Sequence, residues 1–195
     1  VYCNGMRLAA RREPITTPFL SRAASRDQDF HDSLAIFKLI LRYSQEKSVD
    51  ANKEKLLCDY IVHKGIQSRG LRDEILVQIC NQLHNAEELQ SQRLWQLMGQ
   101  CLSCFQPGSA FNKYLMKFIV DNAPAEVKDH LLKKLLRNQN NSQLNNCRNF
   151  VPSWIEWRAI SRLSDIAVSL TLPDETSQTV AIDSWTTCEE AAALA

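Results

Sequence analysis

Two sets of residues in this chain have the types and spacing to do chemistry: paired thiols and clustered charges. Cys101-Leu102-Ser103-Cys104 has the spacing used for zinc or for dithiol exchange. A structural zinc needs four ligands, supplied by a second such pair or by spaced histidines. No second pair exists, and His31, His63, His84 and His130 lie far apart in the sequence. None of them forms H-E-x-x-H, and the chain has no G-x-S-x-G elbow and no phosphate-binding glycine loop. The cysteines therefore read as thiols on a buried helix face, where reduced cysteine behaves as a small hydrophobe. A cytosolic thiol enzyme is the rival reading, and it requires a cysteine of lowered pKa. No catalytic, cofactor-binding or metal residue is assigned.

The charges offer recognition instead. Arg72, Asp73 and Glu74 crowd the start of a helix, where carboxylates complement the dipole and paired charge fixes the adjoining turn. Stabilising that turn, rather than touching a partner, is the role expected of them. Lys113 and Lys117 share a helical face at i, i+4, and Lys128, Lys133, Lys134 and Arg137 enrich the following helix. Such a face is either solvated or a local attractor for an acidic protein surface.

Composition narrows the setting. The 195 residues are 45% hydrophobic, enough for one full domain and part of a second. A net charge of +1 provides no bulk field for nucleic acid or membrane. Charge is uneven, however: residues 1–26 hold five arginines against Glu13, whereas 163–195 hold six carboxylates and no Lys or Arg. Seven cysteines, mostly within apolar helical patterns, point to a reducing, cytoplasmic compartment. No window approaches the roughly 18 apolar residues of a membrane span. The start at Val1-Tyr2, without Met, suggests an excised piece.

These residues must be positioned by helices. Periodicity predicts a first helix from about Asp32 or Ser33, with Leu34, Phe37 and Leu41 on one stripe. Asp50 is the expected N-cap of a second, and Gly65 and Gly70 bracket the expected connection to a third containing Leu71, Ile75, Ile79 and Leu83. A fourth spans about 87–105 and ends before Pro107-Gly108, and Ser109 is the expected cap of a fifth. Pro124 opens a sixth, in which Val127, Leu131, Leu135 and Leu136 face one way. Six such helices with short links make an antiparallel α-helical bundle. The Asn-rich stretch 138–149 is the natural boundary. Beyond it, Ile166, Val168, Leu170 and Leu172 alternate at the strand period, Pro173-Asp174-Glu175-Thr176 supplies a turn, and Val180 and Ile182 return. Thr187 with Glu190 is a capping box opening a last helix, which the chain cuts short in mid-fold.

Leu71-Arg72-Asp73-Glu74-Ile75, with Gln78 and Gln82, resembles the L-R-D-E-I-x-x-Q-I-x-x-Q-L signature of the myosin tail homology 4 (MyTH4) domain. Pro14 to Leu20, Ala35 to Tyr43, Trp95 to Met98, Cys101 to Pro107 and Lys113 to Phe118 resemble further landmarks in family order. His84-Asn85-Ala86-Glu87 lacks the usual Asn-Pro, and Leu94 stands where a glycine often precedes the tryptophan. Phe150 to Trp157 and the hairpin resemble the junction and opening of a FERM domain. The resemblance implies a MyTH4 domain with its linker over 1–148 and an incomplete ubiquitin-like FERM lobe over 149–195. It is nearest to unconventional myosin tails of the class VII and class XV kind. It implies a non-enzymatic, cofactor-free, cytoskeleton-associated module that binds a cargo peptide or microtubules, with actin reached only through a motor domain outside these residues. A kinesin-like or motorless adaptor with the same domain pair is the alternative. The resemblance also favours the partner-binding reading of the lysines.

Overall fold

The computed structural model describes residues 10–20, 24–46, 50–139 and 147–195, apart from the side chains of 137–139. It divides into two compact units, Val1–Val151 and Pro152–Ala195. The first holds α1 (Gln28–Gln45), α2 (Ala51–Gln67), α3 (Arg69–Leu83), α4 (Glu88–Leu102), α5 (Ser109–Asn122) and α6 (Ala125–Gln139). The second holds α7 (Trp154–Ser161), a hairpin of β1 (Ile166–Thr171) and β2 (Ser177–Ile182), and α8 (Cys188–Ala193).

The hub of the first unit is α3, which packs on α1, α2, α4 and α5. It is buried around most of its circumference, so it lacks the single apolar stripe of a surface helix. Leu71, Ile75, Leu76, Val77 and Ile79 supply its apolar contacts, but Asp73, Glu74, Gln78, Asn81 and Gln82 are buried with them. Buried polar groups must find partners or lose several kcal/mol each, roughly.

All five reach the backbone of remote segments, although Gln78 Oε1 is itself left without a hydrogen-bond partner among the described residues. Both Glu74 oxygens accept hydrogen bonds, from the amides of Phe19 and Leu20, each at 2.8 Å. Gln78 Nε2 donates to Glu74 Oε1 and to the Ser33 carbonyl, both at 3.0 Å. One turn further, Asn81 Oδ1 accepts from the Arg11 amide at 3.1 Å and Gln82 Nε2 donates to the Arg11 carbonyl at 2.6 Å. The polar ladder of α3 thus grips the leading segment 10–20, whose Ile15 and Phe19 pack with Leu34, Phe37 and Leu41. Asp73 turns to another segment and accepts the Gly108 amide at 2.7 Å, fixing the start of α5. Gly108 is required there, because a Cβ would lie 2.9 Å from Asp73 Oδ2. Gly65 plays a similar part, since a Cβ on it would meet the fully buried Phe105 ring at 2.3 Å.

Several boundaries differ from the sequence reading. The helix α1 begins at Gln28, before Asp32, while α4 is shorter than 87–105 and ends at Leu102. Gly65 and Gly70 are both helical, and Ser68 alone separates α2 from α3. Helix α3 consequently starts at Arg69, and its first turn holds no acidic residue. Asp73 and Glu74 therefore serve distant amides rather than the dipole of their own helix. Asp50 occupies the N-cap of α2 without a side-chain cap bond, and Gly108, not Ser109, is the N-cap of α5. The Asn-rich residues 140–146 lie outside the described residues.

In the second unit the strands pair antiparallel with Ile166 opposite Ile182 and Val168 opposite Val180. The Asp174 carboxylate accepts from the amide and hydroxyl of Thr176, closing the turn, and Glu175 takes a positive φ of 64°. The Thr187 and Glu190 capping box forms as read.

Glu74→Ala strands two backbone donors, and a destabilisation of about 3 kcal/mol with a Tm fall of roughly 10 °C is expected. Glu74→Gln keeps one acceptor oxygen and should fall about half as far. Circular dichroism melts decide this, and coincident melting of both variants with the parent contradicts the role given to Glu74.

Candidate partner-binding face

The residues with recognition chemistry sit on α5 and α6, which pack against each other. Phe111, Leu115 and Ile119 recur at i, i+4, i+8 and are buried, so α5 turns this stripe into the unit. Its other side exposes Lys113, Tyr114, Lys117 and Val120. The Lys113 ammonium lies 5.0 Å from the centre of the Tyr114 ring, a cation–π contact in which the ring itself is exposed. Lys117 pairs with Asp121 at 3.0 Å on an open surface, where such a pair contributes under about 1 kcal/mol.

On α6 the stripe Leu131 and Leu135 is buried and Val127 is half-buried, but Leu136, one residue off the stripe, is exposed. The same rotation separates the two adjacent lysines. Lys133 is exposed, whereas Lys134, beside Leu135, is only 4% exposed. Lys134 is therefore withdrawn from the exposed side of α6; it reads as surface in the sequence only because lysine usually is. Lys128 is half-buried, and the Arg137 side chain lies outside those described. Across 109–139 six cations face three carboxylates, so the local charge is positive although the whole chain is near neutral.

The signature residues occupy a different place. Arg72 Nε donates to the Gly65 carbonyl at 2.9 Å, joining α3 to the end of α2. With Leu71 and Ile75 in the core and Asp73, Glu74, Gln78 and Gln82 bonded as described, the signature is internal architecture.

Cys101 and Cys104 are buried on and just beyond α4, with Cys58 buried on α2. Burial pushes the Cys58 and Cys101 thiols well above their ordinary range, the opposite of an activated thiolate. Among the described residues no group of three or more His, Cys, Asp or Glu side chains could hold a metal ion. The four histidines fall on α1, α2, the end of α3 and α6.

The sequence reading missed α7. Ser153 and Glu156 form a reciprocal capping box, with the Ser153 amide donating to Glu156 Oε2 at 2.7 Å and the Glu156 amide donating to Ser153 Oγ at 3.3 Å. The S-x-x-E spacing after Pro152 was the available signal, the same one that marks α8.

Comparison with known proteins gives the class. The sequence profile of the MyTH4 domain matches residues 58–159, slightly over half of the chain. The chain belongs to the MyTH4 domain family. Human unconventional myosin-XV is 33% identical over 183 residues, covering 92% of this chain and 5% of that protein. Drosophila melanogaster myosin-VIIa is 37% identical over 141 residues, covering 72% of this chain and 6% of that protein. The chain thus spans a small fraction of the curated relatives it matches. The Dictyostelium discoideum myosin VII MyTH4-FERM MF1 domain (mutant 2) superposes with a TM-score of 0.81 at 23% identity, covering 96% of this chain and 39% of that one. The human myosin 7b C-terminal MyTH4-FERM domain, solved in complex with the harmonin-a PDZ3 domain, superposes with a TM-score of 0.80 at 24% identity, covering 99% and 40%. The fold is that of these MyTH4-FERM regions. No helix of the described residues is long and apolar enough to cross a membrane.

Burial orders the thiols by reactivity. Exposed Cys188 should react with a maleimide at once, while Cys58 and Cys101 stay unlabelled until the chain unfolds. Peptide mapping by mass spectrometry reads this out; labelling of Cys58 or Cys101 at the Cys188 rate would reinstate the thiol-enzyme reading.

Proposed function

We propose that this chain is a non-catalytic protein-binding module from an unconventional myosin, a MyTH4 domain over 1–148 followed by the beginning of a FERM domain over 149–195. In the whole protein it links an actin-based motor to cargo proteins or to microtubules in the cytoplasm. The observation that carries the partner assignment is the side of α5 opposite the buried Phe111, Leu115 and Ile119, where Lys113 and Lys117 stand exposed. Lys133 is exposed and Lys128 half-buried on α6, extending the positive surface. A face of this kind selects an acidic protein surface, such as a tubulin tail or an acidic cargo peptide. The myosin names among the relatives favour this reading over a kinesin-like or motorless adaptor. The harmonin complex of the human myosin 7b region supports a protein as the class of partner.

Because the attraction is local, it is screened over about 8 Å at physiological salt. Lys113, Lys117, Lys128 and Lys133 are replaced together by Glu, sparing buried Lys134 so that the fold survives. Microtubule co-sedimentation and titration with an oligoglutamate peptide are followed across an ionic-strength series. The parent should bind at low salt and weaken steeply as salt rises, and the variant should lose at least about tenfold in affinity. Equal binding by the two proteins, or binding indifferent to salt, rules the face out.

A further inference from the structure

A second group of exposed side chains with recognition chemistry lies at α7 in the second unit. Trp157 and Ile160 bury one side of this helix, the other side carries Trp154, Ile155 and Arg158, and Arg162 follows at the C-cap. Trp154, Arg158 and Arg162 follow at i, i+4, i+8, and Ile155 meets the same arginines at i+3 and i+7, so the four share a face. Trp154 is 39% exposed and Ile155 67% exposed, so both apolar side chains are open to contact beside the two arginines. The Trp154 ring stacks on Trp157 with centroids 5.2 Å apart and planes 20° apart, which holds it in place before any partner arrives. Such preorganisation lowers the ordering cost of binding.

The charges around this face are as particular. The second unit contains seven carboxylates and only two cations, Arg158 and Arg162. Among the described residues neither guanidinium takes part in an ion pair, although carboxylates outnumber them within the unit. The nearest in sequence, Glu156, is turned to its own capping box. Tryptophan and arginine in contact-ready positions are the residue types that dominate interface energies. Two planar guanidiniums one turn apart fit carboxylates bidentately, and an indole beside an isoleucine fits an apolar side chain. The net charge of the second unit is negative, which disfavours an extended anionic bilayer, whereas a short peptide can engage the two arginines locally.

We propose that Trp154, Ile155, Arg158 and Arg162 form a docking face for an acidic peptide segment carrying aliphatic or aromatic side chains about one helical turn apart. The test uses the whole 195-residue chain and three probes: a glutamate-rich peptide with Leu and Phe at i and i+4, an all-glutamate peptide of equal charge, and phosphatidylserine vesicles. Binding is read by calorimetry and by tryptophan fluorescence. The first peptide should bind at least about tenfold more tightly than the second. Paired Arg158→Gln and Arg162→Gln, or Trp154→Ala, should each weaken it at least about tenfold. Ile155→Ser, at the most exposed of these positions, should do so with the melt unchanged and guards against misfolding of the tryptophan variant. The α5–α6 lysine variant should retain the apolar contribution to binding, so the two faces fail separately. Equal affinity for the two peptides, unchanged binding by the α7 variants, or binding of the vesicles without the peptide overturns the proposal.

Discussion

The first unit depends on two neighbouring carboxylates, Asp73 and Glu74, buried in its central helix and held there by backbone amides. A carboxylate taken out of water loses several kcal/mol, roughly, unless its lone pairs are met. Here Glu74 meets two consecutive amides of the leading segment, and Asp73 meets the amide that opens α5. Two stretches distant in sequence are thereby tied to one helix. The bond from Gly108 also sets where α5 starts.

This arrangement explains the polar character of the MyTH4 signature. Gln78, Asn81 and Gln82 continue the ladder from Glu74 along α3 to Arg11, so each polar residue bonds a backbone group of another segment. Arg72 performs a related task at the end of α2. Charge near zero for the whole chain then conceals a local excess of cations across α5 and α6.

Much of the fold was legible because its causes are local. Stripes such as Phe111, Leu115 and Ile119, the alternation in β1, the Asp174 turn and the Thr187 capping box all act within a few residues. The partners of Glu74 and Asp73 were not, since they lie 55, 54 and 35 residues away and periodicity says nothing about pairing. The single-residue link at Ser68 was hidden because two glycines suggested a longer break, while both glycines in fact allow close approach, Gly65 to Phe105 and Gly70 to Asp29. Lys134 was misplaced for a different reason. Residue type outweighed position there, although a rotation of about 100° per residue separates it from Lys133. The α7 helix was legible by the rule applied to α8, and its exposed Trp154 became meaningful only beside the burial of Trp157.

Through its bonds with the Phe19 and Leu20 amides, Glu74 ties the leading segment to α3 as part of one cooperative structure. Phe19 and Leu20 lie outside helices and strands, so their amides would ordinarily exchange with solvent at loop rates. Site-resolved hydrogen exchange of the native chain measures this tie directly. The Phe19 and Leu20 amides should be protected to about the same free energy as the core amides of α3 near Ile75 and Ile79, and Glu74→Ala should release them. Exchange of Phe19 and Leu20 at loop rates in the parent chain, with α3 fully protected, would contradict it.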